Sequence, residues 1–157
     1  MPTVARHFLI GAGLIILQWL VLERLRIFGV YPDVVILFIA WIGLRHGRQY
    51  GALTGFLTGL ALDALHDTWG VQMLVKTLVG FLVGLFPASE RETLIIQPQQ
   101  AFFGALAVAL LHNGLHVILL ALETGARSSF MILGLWIGGA VYTAVLAVMA
   151  AFIWGRY

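Results

Sequence analysis

Hydrophobic runs interrupted by charged and turn residues divide the chain into six apolar segments, at residues 7–22, 34–44, 50–65, 69–87, 101–122 and 131–154. The uncharged stretches from Thr93 to Leu122 and from Ser128 to Gly155 each exceed the roughly 20 residues a helix needs to cross a bilayer. The second segment is short. As a helix, residues 34–44 rise only about 16 Å, half the hydrocarbon thickness. They must therefore recruit flanking residues, thin the bilayer locally or shelter behind longer helices. The first run follows a lone Arg6 and has the outline of a secretory signal, but no A-x-A-like cleavage site follows and more apolar segments come behind it. It is expected to be an uncleaved span. The pattern predicts an all-α integral membrane protein, a single domain of six transmembrane helices with a short second helix.

Composition narrows the function classes. The 157 residues are 61% hydrophobic and 10% charged, with mean hydropathy +0.99, far from the balance of a water-soluble domain. Nine basic and seven acidic side chains give a net charge of +2, with the basic residues scattered, so nucleic acid is not an expected partner. There is no cysteine, which excludes disulfides, thiolate nucleophiles and cysteine metal sites. With the N-terminus inside, the inner segments carry Arg6, Arg45, Arg48, Arg91 and Arg156 against Glu90 and Glu92. The outer ones carry Arg24, Arg26 and Arg127 against Glu23, Asp33, Asp63, Asp67 and Glu123. This bias predicts cytoplasmic termini. The aromatic anchors agree, with Trp19, Tyr31 and Trp69 near the outer interface and Tyr50, Trp154 and Tyr157 near the inner one. The longest connection, residues 88–100, contains Pro98 and the Glu90-Arg91-Glu92 triplet and reads as a cytoplasmic loop.

The most specific local pattern is Gly51-x-x-x-Gly55-x-x-x-Gly59-x-x-x-Asp63 on the third segment. At i, i+4 spacing these residues share one helix face, and the glycines make a groove that admits another helix backbone. The groove packs either against the fourth segment (Gly80-x-x-x-Gly84) or the sixth (Gly134-x-x-x-Gly138), or receives a partner helix. An ionisable group at membrane depth calls for a partner or a function. Lys76, about two turns into the fourth segment, is the counter-charge expected for Asp63, with Asp33 as its alternative. His112 and His116 stand at i, i+4 beside Asn113. Such spacing suits either a shared metal or, more commonly, polar glue between helices. Ser89, Ser128 and Ser129 lack a nucleophile-elbow motif, and Asp63 with Asp67 lacks the further carboxylates of a divalent-metal phosphoryl site. No catalytic residue, cofactor or metal is expected.

The stretch Pro32-Asp33, a short apolar run, Arg45 to Arg48, then Gly51-Ala52-Leu53-Thr54-Gly55-Phe56, Gly59, Asp63, Gly70, Leu74 and Leu78-Val79-Gly80 resembles the rod shape-determining protein MreD family, as do the size and the six-span plan. The likeness is best over residues 31–86. It implies a non-enzymatic component of the bacterial elongation machinery in the plasma membrane, with cell-shape and peptidoglycan-synthesis roles. Its membrane partner would be MreC, linked to RodA and penicillin-binding protein 2, with MreB on the cytoplasmic side. The family pattern falls on Pro32, Asp33, Gly51, Gly55, Phe56, Gly59, Asp63, Gly70, Leu74 and Gly80. The partner groove is then expected at Gly51, Gly55, Phe56, Gly59 and Asp63. Proteins of this type are also similar, in span count and short second helix, to the substrate-binding components of energy-coupling-factor vitamin transporters. In that rival reading Trp69, Gln72, His112, Asn113 and His116 would line an outward pocket. The Ala-x-x-x-Ala docking stripe of such components is missing here, where Ala5 and Ala12 stand seven apart.

Overall fold

The computed structural model describes residues 3–68, 70–86, 98–125 and 128–154. Trp69, Ser89, Glu90, Arg91, Glu92, Arg127, Arg156 and Tyr157, most of the 88–100 connection and the side chain of Trp154 lie outside the described residues. Each apolar segment is helical: α1 is Thr3–Leu20, α2 Val34–His46, α3 Arg48–His66, α4 Val71–Val83, α5 Pro98–Thr124 and α6 Gly139–Trp154. A 3-10 turn, Leu22–Arg24, continues α1, and a π-helical stretch, Met131–Gly138, leads into α6. Among the described residues, three helical stretches are long and apolar enough to cross a bilayer: Ala5–Arg24, Pro98–Thr124 and Met131–Phe152. The helix α4 stops short of residue 87. After Gly84 the backbone tightens into i, i+3 bonds, Leu85 to Leu82 and Phe86 to Val83, a usual way for a helix to end.

Two helices are therefore short, α2 and α4 at 13 residues each. The helix α2 meets its length problem by shelter. Val35, Ile36 and Ile39 are fully buried, and with Ala40, Leu62, Val75, Val79 and Val83 they form the core between α2, α3 and α4. Asp33 starts the helix by accepting the Ile36 N–H on Oδ1 at 3.0 Å, a side-chain N-cap.

The helices α3 and α4 meet backbone to backbone. A Cβ added at Gly51 would run into the Gly80 carbonyl, one at Gly55 into the Lys76 carbonyl, and one at Gly59 would lie 2.5 Å from the Met73 Cα. From the other side, Gly80 faces the Gly51 carbonyl and Gly84 faces the Arg48 backbone. Lipid offers no hydrophobic drive for helices to associate, so close van der Waals packing along small residues takes over that role. The glycine groove expected for a partner helix is thus occupied by this chain's own α4, which corrects that expectation for Gly51, Gly55 and Gly59. Phe56 is not in the groove; it is exposed on the outer side of α3.

The ends of the bundle differ in charge. Arg6, His7, Arg45, His46 and Arg48 gather at the end where α1 and α3 begin and α2 finishes, with the His7 and His46 rings 5.1 Å apart. Glu23, Asp33, Asp63, Asp67 and Glu123 lie towards the opposite end. Because the α3–α4 contact has no room for a side chain, Gly55→Leu should destabilise the fold by about 3 kcal/mol or more. A thermal-unfolding scan in detergent would show this as loss of the folded, monodisperse species.

Candidate functional site

The i, i+4 stripe that aims three glycines at α4 aims Asp63 at it too, one turn further on. Its carboxylate is fully buried and sits over the start of α4. Oδ1 accepts from the Gln72 N–H at 3.0 Å and the Thr68 hydroxyl at 3.0 Å; Oδ2 accepts from the Gly70 N–H at 3.0 Å and the Met73 N–H at 2.9 Å. Three of these four donors are N–H groups at the start of α4, which no residue of that helix satisfies. The N-cap position is Gly70, at φ +103°, a glycine with no side chain to offer. Asp63 caps α4 from the preceding helix. The charge also suits the positive end of the helix dipole.

Lys76 consequently has a different partner. Its ammonium, with no exposed surface, is in direct contact with Asp33 Oδ2. The expected Asp63–Lys76 pair is therefore corrected to Asp33–Lys76, the alternative the sequence left open. The physical reason is that the carboxylate of Asp63 is already filled by four donors, while that of Asp33 caps α2 with Oδ1 and keeps Oδ2 free.

The ammonium also lies 3.2 Å from His112 Nε2. A lysine ammonium can only donate, so Nε2 presents its lone pair and the ring proton sits on Nδ1, which donates to Asn113 Oδ1 at 3.0 Å. His112 is a neutral imidazole with both nitrogens engaged. None is left for a metal, and the stacked His116 ring lies 6.4 Å away, centroid to centroid. The Asn113 amide in turn donates to the Trp136 carbonyl at 3.3 Å in the π-helical stretch, and the Trp136 indole donates to the Leu110 carbonyl at 2.9 Å. One connected chain of polar contacts thus runs from the cap of α2 through α4 and α5 to the entry of α6.

Two members were not foreseen. Gln18, only 2% exposed, donates from Nε2 to the Pro32 carbonyl and accepts the Val34 N–H on Oε1, both at 3.0 Å. Thr143 accepts the Asp33 N–H on Oγ1 at 3.0 Å. Each is a polar, uncharged side chain set in a strongly apolar run, and that contrast is the signal that could have found them. Of the remaining motif residues, Pro32 is buried and offers its carbonyl to Gln18, and Leu74 is exposed. An open depression of about 380 Å³ near the start of α4 is lined by Gly70, Val71, Leu74, Leu119, Leu122 and Glu123. Gln72, His112, Asn113 and His116 are not among its walls. At the same end His66 Nε2 lies 2.9 Å and 3.0 Å from the two carboxylate oxygens of Glu23, tying α3 to the end of α1.

A buried charge stripped of its partner is strongly destabilising. Lys76→Met should lower stability by about 3–5 kcal/mol. A double-mutant cycle, read from equilibrium unfolding in detergent, should give a coupling of roughly 1–3 kcal/mol between Lys76→Met and Asp33→Asn, against near-additivity for Lys76→Met with Asp63→Asn.

The model of the family described as rod shape-determining protein MreD covers residues 3–154, almost the whole chain. No curated protein and no solved structure matches it. The chain belongs to the MreD family, a shape-determining family, and with its apolar helices it is a multi-pass membrane protein with a role in rod shape determination.

Proposed function

We propose, on the premise of this MreD membership, that the chain is a non-enzymatic membrane scaffold of the bacterial elongation complex. In this reading it binds the transmembrane helix of MreC and so supports peptidoglycan synthesis by RodA and penicillin-binding protein 2, with MreB on the cytoplasmic side. It sits in the plasma membrane with both termini cytoplasmic. The basic end of the bundle supports that orientation, since Lys and Arg favour the cytoplasmic face.

The observation that carries the docking reading is the open face of α1. The glycines of α3 and α4 are used up inside the fold. The outer side of α1, in contrast, exposes Leu9, Ile10, Ile16, Leu17 and Leu20 around Gly13, and nothing lies within 4 Å of where a Gly13 Cβ would stand. Gly11, on the inner side, is filled by the Phe38 ring at 3.1 Å. An apolar helix face with one side-chain-free notch suits a second membrane helix approaching closely. MreC is assigned to this face. The buried polar network is assigned a different task, which is holding the platform rigid so that the face keeps its shape.

The test is co-purification with MreC in detergent. Gly13→Leu should leave the thermal midpoint of the isolated chain unchanged and weaken MreC retention about tenfold or more. Phe103→Ala, on an exposed part of α5, should retain MreC like the native chain. Native-like retention by a folded Gly13→Leu variant would remove α1 as the docking face.

A further inference from the structure

The connection between α1 and α2 is built for an apolar environment. At its tip Ile27 and Val30 exchange backbone hydrogen bonds of 2.9 and 3.0 Å around Phe28 and Gly29, whose φ angles are +53° and +81°. Two-residue turns with both central residues at positive φ normally take Asn-Gly, Asp-Gly or Gly-Gly. A bulky Phe at positive φ is uncommon and strained. Here the strained residue is also 92% exposed, so it gains no packing within the chain in return. Leu25 and Ile27 beside it are exposed as well.

The backbone of this connection is satisfied largely from inside the bundle. Leu25 offers its carbonyl to the Tyr142 hydroxyl at 3.2 Å, Pro32 offers its carbonyl to Gln18, and the Asp33 and Val34 N–H groups reach Thr143 and Gln18. Irregular backbone at membrane depth is tolerated when protein groups, in place of water, satisfy it. The depth follows from Gln18, which lies six residues before Arg24, or about 9 Å along the helix. Because Gln18 bonds both Pro32 and Val34, the start of α2 lies beside the last turn of α1, that far short of Arg24. The chain re-enters the layer it has just left. The tip lies level with the end of another apolar stretch, for a Cβ on Gly29 would meet the Phe130 ring at 3.2 Å, one residue before Met131–Phe152 begins. Arg24 and Arg26 flank it, both exposed, the Arg26 guanidinium 5.4 Å from the centre of the Tyr31 ring. Apolar tip and basic flank match the boundary between acyl chains and phosphates.

We propose that residues 25–31 form an interfacial hairpin that inserts Phe28 into the lipid surface at the acidic end of the bundle, and that its occupant is the bilayer itself. This goes beyond the scaffold reading and does not depend on MreC. It gives the short α2 a means of sitting in a full-thickness membrane: the hairpin fills the layer that α2 does not reach.

The chain has no cysteine, so Phe28→Cys provides a single site for a nitroxide label in vesicles of phosphatidylethanolamine and phosphatidylglycerol. Ile118→Cys, on an exposed apolar helix face, and Asp67→Cys, at the exposed end of α3, supply the lipid and aqueous references. The label at 28 is expected to collide with oxygen several-fold more readily than with a water-soluble nickel chelate, as at 118. Chelate accessibility equal to that at 67 would overturn the proposal. So would shielding from both agents, which would mean a second copy covers the tip, or shielding that arises only when MreC is reconstituted. Phe28→Gly keeps the display claim falsifiable apart from labelling. Its thermal midpoint in detergent should equal or exceed the native one, and a lowered midpoint would mean Phe28 packs within the fold.

Discussion

The contact between the α3 and α4 backbones governs the rest of the molecule. Gly51, Gly55 and Gly59 on one helix and Gly80 and Gly84 on the other remove every side chain that would hold the two axes apart. Close approach has two consequences. It brings Asp63 within reach of the first N–H groups of α4, so the seam is closed at one end by four hydrogen bonds to a buried carboxylate. It also fixes the rotation of α4: with the Lys76 carbonyl against Gly55, the Lys76 side chain is directed to the opposite flank, towards α2 and α5.

Placed there, a lysine without access to water requires compensation, and the surrounding helices supply it. Asp33 is positioned by serving as the cap of α2, His112 by its hydrogen bond to Asn113, and both converge on the same ammonium. A buried ion pair adds little net stability compared with well-packed apolar residues, whereas breaking one is severe. The pair therefore acts mainly on register. Any slip of α4 along α3 would strand the lysine, and any slip of α2 would uncap its own first turn. The network fixes relative positions among helices that lipid alone would leave free to slide.

The outcome is a bundle whose strongest contacts lie inside and whose outer faces, particularly that of α1, are left open. That division suits a scaffold in a shape-determining complex, since a platform has to hold its form while presenting surface. The connection between α1 and α2 belongs to the same economy of buried groups. Gln18 and Thr143 satisfy its backbone from within, and what remains outside is the apolar tip of Leu25, Ile27 and Phe28 beside the exposed Arg24 and Arg26.

Hydrophobic periodicity by itself determined the six helical segments, their order, the shortness of α2 and the separation of basic from acidic ends, because these follow from segment length and from where charge interrupts an apolar run. It also determined that Gly51, Gly55, Gly59 and Asp63 share one face, since that is a property of helix geometry alone. Which surface fills that face, and which carboxylate receives Lys76, lay beyond it. Asp33 is 43 residues from Lys76 and His112 is 36, while Asp63 is nearer along the chain and was the natural guess. Only the tertiary structure, by pressing α4 against the glycines, committed Asp63 to backbone N–H groups that are invisible as residue types and left Asp33 for the lysine. Gln18 and Thr143 escaped for the same reason: their partners are main-chain atoms of a non-helical connection, and no residue pattern records where an irregular backbone passes.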